Sequence, residues 1–76
     1  MSKTLYEDER ELTRSELVAE LRRIAADLES SAQFSFGDGE VLEQVSVSDR
    51  LKREIEVERT KDGNRMKVEI EFAWNA

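Results

Sequence analysis

The stretch "LKREIEVERTKDGNRMKVEIEFAW", Leu51 to Trp74, alternates charged and apolar side chains on both sides of a Gly-containing turn. Side chains of a strand point alternately to opposite faces, so Met66, Val68, Ile70, Phe72 and Trp74 share one face. Lys67, Glu69, Glu71 and Ala73 share the other. Upstream, Ile55 and Val57 alternate with Glu54, Glu56 and Glu58 in the same way. A helical turn starting at Ser48 or Asp49 competes for "LKREIEVE", but the two-residue period favours a strand. "KDGN" between the two runs has the composition of a hairpin turn, centred on Asp62 and Gly63. That centre sets Val57 opposite Val68, Ile55 opposite Ile70 and Leu51 opposite Trp74. Apolar then meets apolar in every pair, which is what fixes a register.

Upstream of this hairpin lies a helix. "TRSE" reads as a capping box, with Thr13 as N-cap and Glu16 reaching back to its backbone. From there Leu17, Val18, Leu21, Ile24, Ala25 and Leu28 form one apolar stripe at helical spacing, with Glu20, Arg22, Arg23 and Glu29 largely outside it. A helix of about sixteen residues spans ~24 Å, the length of a seven- or eight-residue strand. After it, "AQFSF" sets Ala32, Phe34 and Phe36 against Gln33 and Ser35. "GDGE" marks a tight turn through Asp38 and Gly39 into "VLEQVSV". There Glu43 interrupts the inward set Val41, Val45 and Val47, which predicts a bulge. "SDR", Ser48 to Arg50, links to the final hairpin. Before the helix, "TLYEDEREL" is a poorer strand: Tyr6 and Leu12 share a face with Asp8 and Arg10, a mixture suited to an exposed edge.

These elements predict an α+β fold in the order β-α-β-β-β-β. Its mainly antiparallel sheet of about five strands carries one amphipathic helix on its apolar face and turns an acidic face to water. The first strand would pair beside the second or beside the last. Leu21, Ile24, Leu28, Ile55, Val57, Val68 and Ile70 are the expected core between helix and sheet. The chain's 76 residues suffice for one domain, residues 1–76, and a chain this short buries only roughly 60% of its unfolded surface.

Composition excludes several chemistries. There is no cysteine and no histidine, so disulfides, thiolate sites and imidazole sites are all ruled out. The net charge of −6, with 39% of residues charged, opposes binding to nucleic-acid phosphates, although "LRR" and "DRLKRE" are locally basic. No apolar run approaches the ~20 residues of a membrane span, and "MSKTLYEDER" has no apolar signal core. The expectation is a cytoplasmic protein that meets neither nucleic acid nor membrane.

The order and spacing of these stretches resemble the Amphi-Trp domain family. The resemblance runs through "LYEDERELTRSE", "LVAELRRIAADLE" and "IEVERTKDGNRMKVEIEFAW", nearly the whole chain. It implies a compact bacterial or archaeal domain and no activity. No functional residue is carried over beyond the terminal tryptophan, here Trp74.

No arrangement of residues points to a reaction. An activated nucleophile needs a neighbouring base, and the serines at 30, 31, 35, 46 and 48 fall in caps, turns and strand faces. "GDG" resembles a phosphate loop but is explained by a hairpin. The chain is therefore expected to be no enzyme, with no catalytic, cofactor-binding or metal residues. The leading expectation is a protein-interaction or self-associating module that meets an unknown protein partner or a second copy. Ile70, Phe72 and Trp74 are its candidate partner-binding residues, because the last strand has few charges near its end. For Trp74 itself the favoured reading is core, packed under the helix end opposite Leu51, with an anchor for a partner as the alternative. The alternative function is binding of a cation or small cationic ligand on Glu54, Glu56, Glu69 and Glu71. These pair carboxylate against carboxylate and could offer hard oxygen ligands, although an open sheet face converges them poorly.

Overall fold

The computed structural model describes residues 2–38 and 40–76. Its elements are α1 (Arg14–Ser31), β1 (Gln33–Asp38), β2 (Val41–Ser46), β3 (Lys52–Arg59) and β4 (Met66–Ala73). The class is α+β, with every strand pair antiparallel.

Helix α1 begins as its capping residues dictate. Thr13 Oγ1 accepts from the Glu16 amide at 3.1 Å, and Glu16 Oε1 accepts from the Thr13 amide at 3.0 Å. Two amides with no partner inside the helix are thus satisfied. The helix ends at Ala32, which turns left-handed (φ 56°) and donates its amide to the Leu28 carbonyl. Ala32 is the whole connection to β1, so the first hairpin has to fold straight back along the helix. The Val47 amide donates to the Ala32 carbonyl at 2.9 Å and ties the end of β2 to the same corner. Arg23, ion-paired with Asp27 at 3.2 Å, also reaches the Ser35 carbonyl.

The second hairpin adopts the register read from its apolar pattern: Ile55 faces Ile70 and Val57 faces Val68, while Glu54 faces Glu71 and Glu56 faces Glu69. Its loop closes with the Gly63 amide donating to the Thr60 carbonyl, and the Thr60 amide to that of Arg65. Asp62 stabilises the turn by accepting from the Asn64 amide and the Thr60 hydroxyl.

Four expectations are corrected. There are four strands in two separate two-stranded sheets, β1–β2 and β3–β4, and no five-stranded sheet. Residues 2–12 form no strand, because their charged residues on both faces leave no side to bury. Glu43 causes no bulge: β1 and β2 pair without interruption and Glu43 lies directly opposite Phe36, half-buried. The turn expected at Asp38 and Gly39 falls partly on Gly39, outside the described residues, while Asp38 pairs with Val41 as the last residue of β1.

The fourth correction concerns the core. Helix α1 packs on β1, and the backbone of β3–β4 makes no close approach to it. Ile55, Val57, Val68 and Ile70 stay 51%, 62%, 60% and 55% exposed, so the expected cluster does not form within the chain. The one-residue connection at Ala32 places β1 on the helix, whereas five residues, 47–51, separate β2 from β3. Among the described residues, Phe34 is the sole buried apolar side chain, at 8% exposure. Its ring lies 5.8 Å from Phe36 and 6.2 Å from Phe72, and Tyr6 stacks on Phe36 at 5.7 Å.

Candidate functional site

Both faces of β3–β4 are largely exposed, with Phe72 at one end of the apolar face stacked on Phe34, and their chemistry differs completely. One carries Ile55, Val57, Met66, Val68, Ile70 and Phe72, with Arg53 and Arg59 at its ends. The Arg59 guanidinium turns inward along this face and donates to Met66 Sδ at 3.3 Å. A lone two-stranded ribbon has no second layer, so both of its faces meet solvent unless something docks on one.

Of the candidate partner-binding residues, Ile70 and Phe72 lie on this apolar face, both exposed. Trp74 follows the last residue of β4 and is half-buried, so it is neither a sealed core residue nor a free anchor. Leu51, expected opposite it, is exposed and lies one residue before β3. Among the described residues β4 pairs with β3 alone, which leaves its other edge open along Ile70 to Ala73.

The opposite face is acidic. Glu56 shares a hydrogen bond with Glu58 and faces Glu69, and both neighbours hold its carboxyl above the usual range; Lys67 opposes them weakly. Lys67 is itself raised, chiefly by its hydrogen bond and ion pair with Glu69 at 2.7 Å. Lys52 pairs with Glu54 at 3.1 Å. Each lysine thus engages a carboxylate two residues along its own strand, and Glu58 keeps Lys67 only as its cross-strand neighbour. Among the described residues, no three acidic side chains converge closely enough to hold a metal ion.

Sequence reasoning missed a groove of 1080 Å³ between residues 4–12, α1 and the first hairpin. Leu5, Tyr6, Phe36 and Leu42 supply its apolar lining; Glu16, Glu20 and Arg23 line the helix side. The signal for it was the mixed polarity of residues 4–12, a segment that forms no strand yet stacks Tyr6 on Phe36. A second missed feature is the helix itself: Leu17, Val18 and Leu21 remain exposed on the part of the stripe that β1 does not cover.

Charge is divided as unevenly as apolar surface. Residues 1–50 contain six basic and twelve acidic side chains, and residues 51–76 contain six of each. The whole net charge of −6 therefore belongs to residues 1–50, with −2 of it before the helix, and the second hairpin is neutral.

A capped helix bound to one hairpin, with a second hairpin left apolar on one side and acidic on the other, defines a small α+β domain built around a surface. The chain belongs to the Amphi-Trp domain family, whose family model matches residues 1–76. No curated protein and no solved structure matches it. Among the described residues, no helix is long and apolar enough to cross a membrane.

Proposed function

We propose that this domain is a non-enzymatic self-associating module whose working surface is the apolar face of β3–β4, with Ile70, Phe72 and Trp74 at its base. The observation that carries the reading is the exposure of Ile55, Val57, Val68 and Ile70, each more than half open in the isolated chain. Contiguous apolar surface of this kind is what interfaces use. The chain's accessible surface points the same way: it is 7526 Å², against about 4,800 Å² for a folded monomer of this mass. Its radius of gyration is 14.7 Å, where a compact chain of this length would have about 11 Å. A cation-binding role for Glu54, Glu56, Glu69 and Glu71 has weaker support, because lysines already engage two of the four. In this reading the partner is protein, and neither nucleic acid nor membrane is involved.

Light scattering on the purified protein tests the proposal. A mass of two or more chains is expected, falling toward one chain on dilution. A mass of 8.8 kDa at every concentration would remove self-association.

A further inference from the structure

Resting on that reading, we infer that two copies associate reciprocally, each laying the apolar face of its β3–β4 hairpin over the uncovered stripe of the other's helix α1. One chain carries two unpartnered apolar surfaces. The first is the hairpin face around Ile55, Val57, Val68 and Ile70. The second is the side of α1 bearing Leu17, Val18 and Leu21, which continues the half-buried Ile24 and Leu28. The hairpin's backbone makes no close approach to α1 in its own chain, so within one copy neither surface covers the other.

Size, charge and area favour this pairing over others. An 18-residue helix spans about 27 Å, and an eight-residue strand about 26 Å. The uncovered stretch Leu17 to Leu21 spans only about 6 Å of the helix axis, so the hairpin is long enough to cover it and to continue over the half-buried Ile24 and Leu28. Placing a neutral hairpin on an acidic body avoids setting two bodies of net charge −6 against each other. Hairpin against hairpin would also avoid repulsion, but it would leave both helix stripes in water. Edge-to-edge addition through β4 would leave both apolar faces open as well. A twofold exchange covers all four surfaces with one self-complementary contact. If each copy covered half of its roughly 2,700 Å² of excess surface, the total would be about 2,700 Å², within the span of obligate homodimers.

The absence of native cysteine makes the test clean. One preparation carries Leu21→Cys and a second, with a distinguishing tag, carries Val57→Cys. The two are mixed, exchanged through partial unfolding, and treated with a short bis-maleimide. A control pair replaces Val57→Cys with Glu69→Cys on the acidic face. The expected result is an inter-chain product between the differently tagged chains, several-fold more abundant than in the control. A two-chain mass with cross-linking no better than the control would overturn this arrangement and leave self-association standing. An efficient Ile70→Cys to Ile70→Cys product in its place would do the same and assign the contact to β4. A one-chain mass throughout would overturn both.

Discussion

Phe34 and Phe72 stack with ring centroids 6.2 Å apart and planes inclined by 25°. Phe34 belongs to β1 and Phe72 to β4, so this pair joins two hairpins that share no backbone ladder. In a chain whose described apolar residues are otherwise half-buried or exposed, one buried ring carries a disproportionate share of the packing. Phe34→Ala should cost about 3–5 kcal/mol, a large fraction of the stability of any small domain. Phe72→Ala should cost less, because Phe72 is already exposed. A double-mutant cycle by urea unfolding at fixed protein concentration should give about 0.5–1.5 kcal/mol of coupling for the stacked pair. Additive losses would show that the rings do not act together.

The start of α1 offers a local test. Thr13→Ala removes the side-chain acceptor for the Glu16 amide. A loss of about 1 kcal/mol is expected, with Thr13→Ser close to the parent. Glu16 has its carboxyl held below the usual range by its hydrogen bonds to Thr13. Its contribution is therefore present above the ordinary carboxylate range and lost as pH falls through the depressed value. Helix content by circular dichroism during an acid titration should fall earlier in Thr13→Ala than in the parent.

Glu56 has the opposite sign. Hydrogen bonding with Glu58 and the charges of Glu58 and Glu69 raise its carboxyl, so the folded state holds that proton more tightly than the unfolded chain. The resulting stability is present below the ordinary glutamate value of about 4.3 and is lost as pH rises through the raised one. Glu56→Gln should therefore melt higher than the parent at pH 7, with the difference vanishing in acid. Because the face is solvent-exposed, monovalent salt should shrink the same difference by screening. A pH-independent gain would assign the effect to something other than titration of Glu56.

Gly63 closes the second hairpin at φ 76°, in the left-handed region, and a Cβ there would meet nothing within 4 Å. Gly63→Ala should then cost only backbone strain, about 1 kcal/mol. Gly63→Asn should cost less, since asparagine tolerates this conformation. A large loss or a changed cross-strand pattern in amide exchange would mean that the loop sets more than the turn.

The elements legible from sequence were those whose physics is local. Thr13 and Glu16 satisfy each other's amides within four residues, so the helix start could be read directly. The register of β3 and β4 follows from matching Ile55 to Ile70 and Val57 to Val68 across a turn that contains Gly63. The resemblance to the Amphi-Trp domain rested on the order of those same pieces, and the match over residues 1–76 upholds it. Tertiary structure alone decided which apolar face is covered. Periodicity shows that a face is apolar but never what lies on it, and both the helix stripe and the hairpin face had more than one partner open to them. The single-residue connection at Ala32 brings β1 onto the helix, while β3–β4 follows a five-residue link and makes no close backbone approach to α1. The apolar alternation that predicted a core strand thus became an exposed surface, because burial depends on the geometry of connections as well as on pattern.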